Sequence, residues 1–266
     1  MTTLSTQTGS AERWGPRWGS RAADWAETEE QQLPTYEAAI RRVGIAAGDR
    51  VLEVGCGSGV FLRAAADRGA RVAGLDASHA LVELARARVP EAELSVGDLQ
   101  RLPYEDDAFD VVAGFNAFFF ADDMVAALRE AGRVAKPGSP VVIQVWGAHG
   151  RCSLDAIKPL VRPFFPGYDP DAPPPPDLAD PGALEGIASA AGLTPAYAFD
   201  VSWSYLYEDD EALLRGMLAA GGVGGAAGPA YEPELRAGLL EALAPFRTAG
   251  GGFRLENEWH TLVATA

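Results

Sequence analysis

The chain has 266 residues, of which 48% are hydrophobic and 22% charged, the usage of an ordinary globular protein and enough length for one large domain with its own core. Thirty-seven acidic residues against 22 basic ones give a formal net charge of −15, which argues against a nucleic-acid partner. No apolar run reaches the roughly 20 residues that span a bilayer, the opening MTTLSTQTGSAERWG has no apolar segment for a signal peptide, and Cys56 and Cys152 stand far apart without metal-ligand spacing. A cytoplasmic protein with no membrane partner, no metal and no disulfide is expected.

Residues 1–32 are polar yet carry Trp14, Trp18 and Trp25, and are expected to form an N-terminal lid. Leu33, Tyr36, Ile40 and Val43 then recur at helical spacing. Gly48-Asp49 marks a turn, Arg50 to Val54 reads as a strand, and after the cluster GCGSG a helix runs to Gly69. Arg71 to Asp76 reads as a second strand, and Ser78 to Val89 as a helix stopped by Pro90. AELSVGD and FDVVAGFN supply a third and a fourth strand, Asp122 to Ala135 a helix ended by Lys136-Pro137-Gly138, and Ser139 to Gly147 a fifth strand. Strands alternating with helices of about a dozen residues predict βαβ units and a parallel sheet covered on both faces, so residues 33–147 are expected to be an α/β core.

From 148 to 182 the rhythm breaks. Nine of the 19 prolines fall between Pro159 and Pro181, including the run Pro173 to Pro176, which predicts a cap or insertion. From 183 to 266 the alternation resumes with a helix in PGALEGIASAAGL and a strand in AYAFDVSWSYLY. Helices from Asp209 to Ala220 and from Glu232 to Phe246 flank a glycine-rich stretch, and a last strand in GFRLENEWHTLVAT completes the same domain.

The segment Glu53-Val54-Gly55-Cys56-Gly57-Ser58-Gly59 lies between a strand and a helix. Such a glycine-rich turn lets the backbone pass close to a ligand and points free N–H groups at it. Counted from Gly55, the dinucleotide fingerprint G-x-G-x-x-G would need glycine at position 60, where Val60 stands. That disfavours a nicotinamide reductase. The pattern E-x-G-x-G-x-G resembles motif I of the class I S-adenosylmethionine-dependent methyltransferases, and Asp76, Gly97-Asp98-Leu99 and PYEDDAFDVVAGFNAF resemble that family's later motifs in the right order. The resemblance covers about Leu33 to Gly147, with support from RLENEWHTLVA near the end.

The resemblance implies a Rossmann-like, doubly wound, mostly parallel seven-stranded sheet with helices on both faces, a lid, and a cap after the fifth strand. It implies S-adenosylmethionine as cofactor and S-adenosylhomocysteine as product. Gly55, Cys56, Gly57 and Gly59 would form the loop at the cofactor, with Glu53 organising that loop. Asp76, with Ala77 beside it, would accept both ribose hydroxyls. Asp98 would accept from the adenine amine while the Leu99 N–H meets a ring nitrogen, and Phe115 and Asn116 would lie beside the methionine part. Trp25, in the expected lid, would also contact the cofactor. Each also has a plainer reading: tight-turn glycines, Asp76 as a helix cap, Asp98 as a turn former, Asn116 as a cap of its own loop.

In-line methyl transfer needs alignment and exclusion of water and no covalent nucleophile. The loops expected around the acceptor are rich in Trp, Phe, Tyr and Pro, which suits a hydrophobic or aromatic small molecule. His149, after the fifth strand, is the candidate general base for a hydroxyl acceptor, and a solvated loop histidine is its plainer reading. The alternative function is an S-adenosylmethionine-binding cyclase or a non-catalytic binding protein of the same fold. Neither the acceptor, nor the methylated atom, nor the oligomeric state follows from the sequence.

Overall fold

The computed structural model describes residues 9–165, 167–171 and 177–266. The proline run Pro173 to Pro176 lies outside them, as do the first eight residues of the expected lid. Seven strands form one sheet: β1 (Arg50–Val54), β2 (Arg71–Asp76), β3 (Glu93–Val96), β4 (Val111–Phe115), β5 (Pro140–Trp146), β6 (Thr194–Tyr207) and β7 (Phe253–Thr265). Their order is β3-β2-β1-β4-β5-β7-β6. The first five are parallel, and β7 runs antiparallel between β5 and β6. This is the mostly parallel seven-stranded sheet expected from the sequence.

The central strands are apolar throughout because both faces are covered. Leu52, Val112, Val141, Ile143 and Leu262 face one core, which is closed by α6 (Met124–Val134) and α8 (Ala183–Ala190). Val51, Ala113, Val142 and Val263 face the other, closed by α3 (Leu33–Val43) and α4 (Val60–Ala66). On α3 the buried face is Thr35, Tyr36, Ala39 and Ile40. Leu33, expected on the core side, stays 37% exposed, while Thr35 and Tyr36 of the same turn are buried. Helix starts follow their capping chemistry: Ser78 Oγ accepts from Leu81 N at the head of α5 (His79–Arg88), and Asp123 from Ala126 N at α6. Among the described residues no helix is long and apolar enough to cross a membrane.

The outer halves of β6 and β7 reach beyond the five parallel strands and carry a third core with α9 (Asp210–Ala219) and α11 (Glu232–Leu243). Trp259, Tyr205, Leu213 and Leu239 are buried there. The segment after β5 joins it through short 3-10 turns and α7 (Lys158–Val161), with Ile157 and Val161 buried. Trp259 is fully buried, so Trp259→Ala is expected to cost about 3–5 kcal/mol in a denaturant titration.

Residues 10–30 are not an unstructured tail but two helices, α1 (Ser10–Gly19) and α2 (Ala22–Glu30). They pack against the loops that follow β1 and β3, and against α5, α9 and α10 (Gly224–Ala227). The glycine-rich stretch, which reads as a mere separator, is what lets α1 approach. A Cβ on Gly225 would sit 2.4 Å from the Arg17 carbonyl oxygen.

Candidate active site

Strand order reverses between β1 and β4, and ligands of open α/β sheets bind at such a point, outside the carboxyl ends of the strands. A cavity of about 320 Å³ opens there. The structure brings Gly55, Gly57, Asp76, Ala77, Asp98, Leu99, Phe115, Asn116 and Trp25 to its wall. Glu53, on β1, and Cys56, within the glycine loop, are buried and do not line the cavity. Gly59 does not line the cavity either, and heads α4 against Ala85.

The glycine loop is built for close approach. Gly55 has φ +76°, and a Cβ there would lie 2.5 Å from Ala117 Cβ. Gly57 has φ +52°, and its Cβ would lie 2.7 Å from both carboxylate oxygens of Glu29. Only glycine fits either position. Asp76 Oδ2 accepts from Gly57 N at 3.0 Å while Oδ1 accepts from Ser78 N at 2.8 Å, so the carboxylate ties the loop to the end of β2. Asp98 does two jobs. Its Oδ1 accepts from Gln100 N at 2.8 Å, and its Oδ2 accepts from Ser10 Oγ and Ala11 N, both at 2.9 Å, placing a negative charge at the N-terminus of α1. Asn116, at φ +51°, holds a backbone conformation that costs energy outside glycine, and both ends of its buried amide lack partners among the described residues.

Three carboxyl groups converge on this loop. Burial pushes Glu29 up to about 7, partly offset by the Ser58 N–H that it accepts at 2.8 Å. Burial, then the charges of Glu29 and Asp76, holds Glu53 well above the usual carboxyl range. Burial also raises Asp76, against the pull of the Ser78, Gly57 and Ala77 N–H groups. The Cys56 thiol is driven well up by burial and then by the same three carboxylates, which makes it a packing residue and not a nucleophile.

Away from the loop the cavity is aromatic. Trp14 meets Phe120 edge-on at 4.7 Å and Phe165 at 5.6 Å, and Trp18 meets Trp25 at 4.7 Å. Phe118 turns into the core while Phe119 and Phe120 reach the cavity. Trp146, Met217 and Tyr205 continue the wall, and the Tyr205 hydroxyl has no partner among the described residues.

His149 is not brought to this site. Its side chain is 83% exposed, with Nδ1 3.7 Å from Asp155, and it is absent from the cavity wall. The turn after β5 carries it outward. His149→Ala is expected to leave turnover within about twofold of wild type, as for other exposed side chains free of special contacts, in a steady-state assay. The residues that sequence reasoning missed are Glu29, Gln32, Tyr36 and Tyr205. Trp25 and Glu29 lie on α2, Tyr36 on α3 and Gln32 in the turn between the two helices.

Residues 52–143 match the family model described as a methyltransferase domain. The chain is 33% identical over 150 residues to an uncharacterized protein of Mycobacterium tuberculosis, covering 55% of this chain and 54% of that one. It is 32% identical over 136 residues to the demethylmenaquinone methyltransferase of Tropheryma whipplei, 49% and 52% of the two chains. The chain thus spans about half the length of the curated relatives it matches. Among solved structures, a chain of the complex between the Haloferax volcanii Trm112 methyltransferase activator and a methyltransferase candidate superposes with TM-score 0.61 at 24% identity, covering 95% of this chain and 97% of that one. The [4+2]-cyclase SpnF superposes with TM-score 0.56 at 22% identity, covering 88% and 80%. Residues 52–143 thus resemble a methyltransferase domain, and the chain shares its fold with these solved structures.

The residues present fit the cofactor S-adenosylmethionine. The loop excludes every side chain but glycine at the two closest approaches. Among the described residues the Asn116 amide is an unpaired donor and acceptor, and the Glu29 and Asp76 carboxylates face the cavity bonded to backbone N–H groups and not to a cation.

Proposed function

We propose that the protein transfers a methyl group from S-adenosylmethionine to a hydrophobic or aromatic small molecule held in the same cavity. The observation that carries this reading is the single cavity on whose wall the glycine loop, Asp76 and Asp98 meet a shell of aromatic side chains. Asp76 and Asp98 would hold the nucleoside, and Phe115 and Asn116 the amino-acid part. When bound, the cofactor supplies an electrophilic methyl on a sulfonium. The chain's own contribution is alignment and a dry environment: Trp14, Trp18, Phe119, Phe120 and Phe165 exclude water and present flat apolar surface to an acceptor. No histidine lines the cavity among the described residues, which favours catalysis by positioning. The relative named for demethylmenaquinone supports an apolar acceptor.

Calorimetric titration tests the cofactor assignment. S-adenosylhomocysteine is expected to bind with a dissociation constant in the micromolar range while the reduced nicotinamide dinucleotides give no heat. Tight binding of a nicotinamide dinucleotide with none of S-adenosylhomocysteine would overturn it.

A further inference from the structure

Glu29 is an acidic group of this cavity carried by the N-terminal helices, and unlike Asp155 on the same wall, which pairs with Lys158, it has no bonded cation among the described residues. It projects from α2, is 2% exposed, accepts the Ser58 N–H, and brings both carboxylate oxygens against Gly57. The groups that face it are Asp76 on β2, Glu53 on β1, Cys56 in the glycine loop, Tyr36 on α3 and Tyr205 on β6, none of them cationic. Arg88 on α5 is the cation in range, and its guanidinium is bonded to Glu30. Beside this charge the wall is aromatic, with Trp25, Tyr36 and Tyr205, and the Tyr205 hydroxyl, on a side chain only 2% exposed, is without a partner among the described residues. Carboxylates set among aromatic faces are the chemistry of cation recognition.

We propose that Glu29 is the counter-charge for a cationic ligand in the cavity and that, because α2 carries it, the ligand's charge holds residues 9–30 closed over the site. This rests on the reading of the cavity as a site for S-adenosylmethionine, whose sulfonium and ammonium are cations. Burial pushes the Glu29 carboxyl up to about 7. A cation favours its ionised form, so binding near neutral pH releases a proton to solvent. Affinity for a cationic ligand then rises as pH rises through 7 and levels off above it. A ligand without charge gains nothing from this group.

The test compares S-adenosylmethionine with 5′-methylthioadenosine, which shares the nucleoside and has no charge, by calorimetry at pH 7 in two buffers of different ionisation enthalpy. Wild-type protein is expected to release about half a proton per S-adenosylmethionine bound and none with methylthioadenosine. Glu29→Gln keeps an acceptor for Ser58 N. It is expected to abolish the proton release and to weaken S-adenosylmethionine about tenfold or more, while methylthioadenosine affinity, the check that the cavity is intact, changes less than about twofold. S-adenosylmethionine should slow tryptic cleavage within residues 9–30 of the wild type and not of the variant. Binding without a linked proton in the wild type overturns the proposal, as does a variant that keeps affinity and protection. If the wild type binds neither nucleoside, the cofactor reading fails, and this proposal with it.

Discussion

Asp76→Ala is expected to weaken S-adenosylhomocysteine binding at least about tenfold, since charge-assisted hydrogen bonds from two ribose hydroxyls contribute roughly 1.5–3 kcal/mol each. The structure adds a second cause. Asp76 also accepts from Gly57 N and Ser78 N, so its loss frees the glycine loop from β2 and unpairs two backbone donors. The expected readout is reduced affinity by calorimetry with an unchanged far-ultraviolet spectrum and a melting temperature lowered by a few degrees. Wild-type affinity in a folded variant would remove Asp76 from the site. Asp98→Ala should act differently, because its Oδ2 holds the first turn of α1. It should raise proteolysis within α1 as well as weakening binding.

Removing residues 1–30 is expected to lower S-adenosylhomocysteine affinity about 100-fold or more, from the loss of charge-assisted contacts and of the cover that keeps water out. The two sheet-face cores contain no residue from α1 or α2, so cooperative unfolding should persist. The segment reaches the cavity through Ala11, Trp14, Trp18, Trp25 and Glu29. It is therefore proposed as a lid that completes the site rather than a brace for the fold. A truncated protein with full affinity and turnover would refute this.

The α/β core was legible because its physics is local. Strands covered on both faces must be apolar runs such as Val111 to Phe115, and glycines such as Gly55 must stand where no side chain fits. The glycine pattern located the loop, and Asp76 and Asp98 stood at strand ends. The other half of the cavity was illegible for an equally physical reason. Its wall is Trp25 and Glu29 on α2, Gln32 in the turn that follows and Tyr36 on α3, a side on which polar groups interrupt the apolar spacing. A search for apolar periodicity therefore began at Leu33, one element late. Tyr205 was hidden differently, on the outer half of β6, a long strand whose partner β7 lies nearly 50 residues further along the chain. His149 shows the converse: a position after β5 looks suitable along the chain, and only the direction of the turn decides that the ring faces solvent.

The most direct test of methyl transfer supplies the protein with S-adenosylmethionine bearing a trideuterated methyl group, together with a panel of apolar phenols, quinols and amines, and reads products by mass spectrometry. The account predicts one acceptor that gains a single labelled methyl, with one S-adenosylhomocysteine formed for each product, and predicts that Asp76→Ala slows both together. Stable cofactor binding with no labelled product and no S-adenosylhomocysteine from any acceptor class would contradict it, and would favour a protein that holds the cofactor without spending its methyl group.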